Sequence, residues 1–277
     1  MIYDGTNFIS PETFVRLGFF AGIFSAVALG EKIVPRRMLL KSKTKRWIGN
    51  LGMQIINVVV LRLIFPLFPV GIAVICAQRG WGLLNYYQIT PFLALIIAVA
   101  ALDFVIYLQH RMFHVVPLFW PMHMVHHTDQ DIDVTTALRF HPLEIILSML
   151  IKFSAVAAIG APPLSVLIFE IMLNGATMFN HGNVGIPLSF DRMIRMVLVT
   201  PDMHRVHHSV IARETNSNYG FSFPWWDRML GTYRAQPQEG HDKMKIGLNG
   251  YHDDRSLKLA FMLAMPFSYP KRVSDAE

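Results

Sequence analysis

Three stretches of this chain are longer and more apolar than a core helix of a water-soluble protein needs. They are 13–34 (TFVRLGFFAGIFSAVALGEKIV), 51–77 (LGMQIINVVVLRLIFPLFPVGIAVICA) and 91–109 (PFLALIIAVAALDFVIYLQ). Each is long enough to cross a bilayer, the second with a tilt or a kink at Pro66 and Pro69. A fourth apolar region, 143–179, is interrupted by GAPP at 160–163. Proline cannot continue a helix and restricts the residue before it, so this region reads as a hairpin. Each arm of about 17 residues is roughly 26 Å long, enough to cross most of the hydrocarbon and return. The expected fold is all-α and polytopic: three spans plus a helical hairpin, with a cytoplasmic helical cap.

Composition agrees with a lipid environment. Hydrophobic residues make up 53% of the chain and charged residues only 16%, against a globular norm of roughly 25% charged. The first twelve residues lack a basic segment and carry Asp4 and Glu12, so they do not read as a signal peptide. The net charge of +6 is modest, but seven cations crowd into 32–46 (KIVPRRMLLKSKTKR). Between two spans, that segment reads as the basic loop of the cytoplasmic side rather than a nucleic-acid patch. The histidine motifs that follow span three then lie on the cytoplasmic face. One cysteine, Cys76, excludes a disulfide scaffold and a thiolate metal cluster.

The chemistry is carried by histidine. The chain has 12 histidines, and eight of them fall in two windows. His110 and His114 are one helical turn apart. His123, His126 and His127 follow in HMVHH, and His204, His207 and His208 in HRVHH. At offsets of three and four, each set shares a helix face, which makes it a chelate. The two phrases share little flanking sequence and do not mark a duplicated domain. Nitrogen ligands suit zinc, copper, iron or nickel. One zinc uses about four ligands, so eight clustered histidines point to two metals. His141 in RFHPLE and His181 in NHG flank the hairpin, whose topology returns both to the same side and brings the candidate ligands to ten. His241 and His252 stand alone and read as ordinary histidines.

Polar residues inside apolar helices are functional candidates by default. Tyr107 and Asp103 continue the face of His110 and His114 along the third span, and Asn174 and Glu170 continue the face of His181. Asp103 is expected to accept the second ring N–H of a ligand histidine. Glu170 and Asn174 have the same prospect, with an ion pair between Glu170 and Lys152 as the plainer reading. The chain has no C-x-x-C, no G-x-x-x-x-G-K-[ST], no G-x-S-x-G and no H-E-x-x-H, so the nucleotide, serine-hydrolase and zinc-protease motifs are missing.

The segments DFVIYLQHRMFH, HMVHH, RFHPLE, NHG, HRVHH, NSNYG and WWDRMLGTY, in that order over roughly residues 95–235, resemble the fatty acid hydroxylase or sterol desaturase superfamily. TALR after the second box and TP-x-x-HRVHH look closest to its alkylglycerol monooxygenase-like branch, and the His-Pro element resembles the sterol-acting branch. The resemblance implies a membrane non-haem oxygenase with two iron ions, zinc being an alternative occupant in preparations. It implies dioxygen and two external electrons used to hydroxylate or desaturate a membrane lipid. It assigns metal-ligand roles to His110, His114, His123, His126, His127, His181, His204, His207 and His208, and to His141 by the His-Pro element. A separate electron-donor protein is implied as partner, and no nucleic acid. The expected organisation is a membrane region with a basic loop (1–90), a catalytic domain (91–235), and a tail (236–277) whose segment 256–267 is too short to span and reads as interfacial. The competing class is a metal-binding membrane protein without redox turnover, in transport or storage. A transporter would hold its ligands near the bilayer midplane, whereas these sit at span ends.

Overall fold

The computed structural model describes residues 11–268. The first ten residues, most of the segment read as lacking a signal peptide, and the last nine of the tail lie outside the described residues. Among the described residues all repeating structure is helical, with two isolated bridges, Pro35 to Val184 and Ser209 to Ile246. The order is α1 (Pro11–Ile33), α2 (Lys43–Ile64), α3 (Pro69–Arg79), α4 (Leu83–Tyr86), α5 (Pro91–Val115), α6 (Trp120–His127) and α7 (Pro142–Ile159). There follow α8 (Pro163–Asn180), α9 (Leu188–Ile194), α10 (Pro201–His207), α11 (Ala212–Thr215), α12 (Trp225–Met229), α13 (Gly240–Lys243) and α14 (Leu259–Ser268).

Five helical segments are long and apolar enough to cross a membrane: Glu12–Ile33, Lys43–Tyr86, Pro91–Val115, Pro142–Ile159 and Pro163–Asn180. Their outward faces stay apolar, with Phe14, Leu17, Ile55, Leu63, Phe92 and Leu164 all more than half exposed. Such surface is stable in lipid and a liability in water. The inward faces of α3, α5, α7 and α8 meet around Ala73, Ala98, Leu102, Val156, Val166 and Phe169. This is a multi-pass membrane protein.

The hairpin forms as expected. α7 ends on Gly160 in the left-handed region (φ 70°), and α8 starts at Pro163. A Cβ on Gly82 would lie 2.2 Å from the Gly160 nitrogen, so glycine there lets the two backbones touch. The second expected span breaks about Pro66 and Pro69, where a kink was expected, and differs in where it begins. Its helix begins at Lys43 rather than 51 and stops at Ile64, and the chain restarts as α3 at Pro69.

The segment 32–46, read as a basic loop between spans, is loop only in part, because α2 starts within it at Lys43. Arg46 is fully buried in the first turns of α2. Its guanidinium grips Asp129 with two bonds of 2.7 and 2.9 Å and Asp133 with one of 2.5 Å. Arg139, also buried, bonds Asn50 of α2, Thr128 and the carbonyls of Val125 and Ser256. Burial works against the Asp129 carboxylate, but Arg46 overcomes it and holds that carboxyl far below the usual range. This ionic layer locks α2 to the loop that follows α6. The segment 256–267 also does more than lie at an interface: α14 buries Met262 and Met265 against Met53 of α2 and Met124 of α6.

Candidate metal centre

Two short helices present most of the candidate ligands, and both carry a proline in the first turn. Pro121 lies in the first turn of α6 and Pro201 in that of α10, where a missing N–H costs nothing. Thr200 caps α10 by accepting the Met203 N–H at 3.3 Å. α5 supplies His110 and His114 from its last turns, and the hairpin delivers His181 as the residue capping α8.

The histidines converge as two groups. One is His110, His114, His123, His127 and His207; the other is His126, His181, His204 and His208. Within each group one nitrogen per ring lies within 4.8 Å of all the others. Each H-x-x-H-H phrase is therefore split. His123 and His127 go to the first group while His126 turns to the second, and His204 and His208 go to the second while His207 turns to the first. At about 100° per residue, positions i and i+4 nearly coincide, and i+3 lies roughly 60–100° away from them. Each helix thus faces two centres at once. The rings of His127 and His208 stack at 4.6 Å, so the groups share a wall.

The hydrogen bonds decide which way the lone pairs point. His110 Nδ1 donates to the Tyr219 carbonyl at 2.7 Å and His207 Nδ1 to the Ser217 carbonyl at 2.7 Å. His123 Nδ1 donates to Glu144 Oε1 at 2.8 Å and His181 Nδ1 to the Thr177 carbonyl at 2.8 Å. Those partners only accept, so each Nδ1 carries the proton and each Nε2 is left with a bare lone pair. The Nε2 atoms of His110 and His123 nevertheless face each other at 3.1 Å. Three further Nε2 atoms, of His126, His204 and His208, crowd that of His181 at 3.0, 3.1 and 3.2 Å. A single lone pair can accept one such neighbour, not three. Opposed lone pairs at this separation repel unless a cation lies between them.

A metal fits this arrangement. With bonds of about 2.1 Å, nitrogens 3.0–3.2 Å apart subtend roughly 90–100° at a shared ion. That angle leaves room for more than four ligands, and five nitrogens in the first group exceed the closed tetrahedral zinc site. The donors are neutral, as metal ligation requires. Burial first, then the neighbouring imidazoles, pulls the pKa of His126, His127, His204 and His208 well below the ordinary value. The same causes act on His207, and burial brings His181 down to about 4.

His141 is not brought to either group. It caps α7: its Nδ1 accepts the Leu143 N–H at 3.2 Å and its Nε2 donates to the Leu263 carbonyl at 3.2 Å. Both nitrogens are used, so no lone pair remains for a metal. Asp103 does not reach a histidine either. It accepts the indole N–H of Trp226 at 2.8 Å and so anchors α12. Tyr107 contributes at one remove. Its hydroxyl meets Thr232 Oγ1 at 2.8 Å, Thr232 bonds Asp227, and Asp227 accepts the backbone N–H groups of Tyr219 and Gly220. That chain of bonds sets the carbonyl on which His110 rests. Glu170 takes the plainer reading, paired with Lys152 at 3.2 Å and with Arg16 as well. Asn174 donates its side-chain N–H to the Glu170 carbonyl of its own helix, its one side-chain hydrogen bond among the described residues.

The carboxylate that supports a ligand histidine is Glu144, in the first turn of α7. Sequence reasoning passed over it although it stands in RFHPLE, three residues from His141. The NSNYG segment contributes main-chain carbonyls to the site. Asn218, at φ 52°, is tied by its side chain to Met203 and Arg234, and its neighbours' carbonyls turn toward His207 and His110.

A helical membrane protein that gathers nine histidines into two adjacent groups at the ends of its spans belongs to a narrow class. Residues 95–232 match the family model described as fatty acid hydroxylase, and the chain belongs to that family. Ornithine lipid hydroxylase OlsE of Rhizobium tropici is 24% identical over 250 residues, which cover 87% of this chain and 72% of that protein. Alkylglycerol monooxygenase of Homo sapiens is 33% identical over 152 residues, 54% of this chain but only 32% of the relative. The chain thus spans about a third of that enzyme's length. Cholesterol 25-hydroxylase of Rattus norvegicus is 26% identical over 144 residues, 51% of this chain and 47% of the relative. These relatives are lipid hydroxylases and monooxygenases. No solved structure matches the chain.

Proposed function

We propose that the chain is a membrane lipid hydroxylase or desaturase that holds two iron ions, one in each histidine group. It takes dioxygen, two protons, and two electrons from a separate donor protein, and either inserts one oxygen atom into a lipid C–H bond, releasing one water, or removes one hydrogen from each of two adjacent lipid carbons, releasing two waters. The substrate is a sterol, a fatty acyl chain, a sphingolipid or an ether lipid; the relatives named above act on an ornithine lipid, an alkylglycerol and cholesterol. The catalytic unit is residues 91–235. The cations of 32–46 put the histidine end on the cytoplasmic side.

The observation that carries this reading is the set of opposed Nε2 lone pairs, three of them crowding His181 within 3.2 Å. Iron bound there would supply the reduction of dioxygen that attack on an unactivated C–H bond needs. The chain's own part is to hold and exclude. Tyr219, Ser217, Thr177 and Glu144 keep four rings in the tautomer that ligates. The burial of the ring nitrogens keeps bulk water from the centre. The apolar faces of the spans leave the lipid in the bilayer as the adjoining phase.

Comparative lipid mass spectrometry of cells with and without the gene tests this. A lipid differing by one oxygen atom or two hydrogens is expected. Purified active protein holding less than one equivalent of metal would sink the proposal. Fully loaded protein with an unaltered lipid profile would favour metal binding without turnover.

A further inference from the structure

Beside the second histidine group, a cavity of about 250 Å³ opens between the end of α1, the start of α2 and the loops after α6 and α8. That is roughly eight times a water molecule's share of liquid volume, too large for a single ion. Two buried polar atoms of its lining residues lack partners. Glu31, whose side chain is 3% exposed, uses Oε1 to accept the Val134 and Asn183 N–H groups at 2.6 and 3.0 Å. Its Oε2 accepts nothing, and the Lys43 ammonium stays 3.9 Å away. Arg37 binds the Met244 carbonyl through Nη2, while its Nη1 is buried without a partner. Asp133, also in the lining, is already committed to Arg46, Trp47 and Thr135. One carboxylate oxygen and one guanidinium edge are therefore left without a hydrogen bond, beside the Lys43 ammonium, which makes a long ion pair with Glu31 Oε2 at 3.9 Å and lies 4.9 Å over the Trp47 ring.

A buried carboxylate oxygen wants a cation with hydrogens to donate, and a guanidinium edge beside a lysine wants an anion. One ligand meeting both carries an ammonium and a phosphate or carboxylate a few bonds apart. The position selects its source. Glu31 is in the last turn of α1 and Lys43 is the first residue of α2, so the cavity lies where two spans meet the polar layer. Met38, on the cavity lining, and Leu40 beside it are 85% and 76% exposed, as suits a loop resting on lipid. The floor is joined to the metal centre, because Asn183 stands two residues beyond His181. We propose that this cavity binds the headgroup of a zwitterionic lipid, with the ammonium at Glu31 and the anion between Arg37 and Lys43. The bound lipid is thereby held next to the second histidine group. This rests on the lipid reading of the function.

Native mass spectrometry of the full chain, metal-loaded in non-ionic detergent, tests it with three dioleoyl lipids. Phosphatidylethanolamine should bind about tenfold more tightly than phosphatidylglycerol, which lacks the ammonium, and tighter still than diacylglycerol, which lacks both charges. Glu31→Gln keeps the Oε1 acceptor and replaces the free oxygen by a donor, so it should erase the preference over phosphatidylglycerol. Arg37→Gln should weaken both phospholipids about tenfold. Metal content reports folding in each variant; if Glu31→Gln loses metal, Lys43→Gln on the exposed rim must lower phosphatidylethanolamine binding several-fold. Equal binding of the three lipids, or variants that bind phosphatidylethanolamine as the wild type does, would overturn the proposal. Displacement of the lipid by an equal concentration of O-phosphoethanolamine would overturn its assignment to a lipid. Selective binding with no oxidised product would instead sink the hydroxylase reading and leave the cavity's role standing.

Discussion

The two histidine groups share α6 and α10 but are held to different degrees. In the first group three of five rings rest their Nδ1 on an acceptor: His110 on Tyr219, His123 on Glu144 and His207 on Ser217. In the second only His181 does, on Thr177. The Nδ1 atoms of His126, His204 and His208 are buried without partners, and His126 is positioned by packing, its ring 4.4 Å from that of Phe140. Acceptors behind a ligand fix its tautomer and raise its basicity, and a carboxylate adds compensating charge. The first group is thus preset for a cation, and the second relies on packing and on one anchored ring. On the proposed loading of one ion per group, the ion of the second group is expected to bind more weakly and to leave first.

Acid probes both groups and should have the largest effect. His126, His127, His181, His204, His207 and His208 titrate below the ordinary imidazole range in the folded chain, because of burial first. An unfolded imidazole titrates near 6.5, so below that pH the unfolded chain binds more protons. Stability of the metal-free protein is then present above about pH 6.5 and is lost as pH falls toward about 4. Each histidine contributes up to ~1.4 kcal/mol per pH unit. Unfolding midpoints between pH 7 and 5 after chelation measure this, and His204→Ala should flatten the dependence by one proton. A flat profile would break the assignment of neutral imidazoles.

Ligand removal sharpens the contrast between the groups. His204→Ala leaves three nitrogens in the second group, whereas His114→Ala leaves four in the first. The expected outcome for His204→Ala is loss of about one metal equivalent and a fall in lipid turnover of at least ~100-fold. His114→Ala should retain more of its metal. Equal losses in elemental analysis would break the asymmetry. A smaller effect is expected of Glu144→Gln, which keeps an acceptor for His123 but discards the charge. Affinity at the first group should fall roughly 10- to 100-fold with the second unchanged, read by competition with a chelator of known strength. Smallest is His141→Ala. It removes the cap of α7, for about 1 kcal/mol in the unfolding midpoint, and should leave the metal content untouched.

Much of the fold could be read along the chain because a bilayer leaves few choices. Apolar runs near twenty residues and the proline pair at 162–163 announce helices and a hairpin without knowledge of their neighbours. The clustering of the histidines was legible for a similar reason, since offsets of three and four put nitrogens on one face whatever the context. The supporting residues were less so. Asp103 lies on the face of His110 and His114, yet an indole from α12, 123 positions later, reaches it instead. His141 sits in a motif beside the candidate ligands, and the α14 carbonyl of Leu263 occupies its Nε2. The basic segment reads as a topology signal, but Arg46 belongs to a buried ionic layer whose acids lie 83 and 87 residues away.

The paired H-x-x-H-H phrases mark the boundary between these two kinds of knowledge. Their residue types and helical spacing already imply nitrogen ligation and more than one metal, because those properties are local. The sharing of each helix between two centres is not local. His126 turns from His123 and His127, and His207 from His204 and His208, because α5, α8 and the 217–219 loop arrive on different sides of α6 and α10. Which imidazole joins which group, and which ring gains an acceptor behind it, was set by packing between segments up to 109 positions apart.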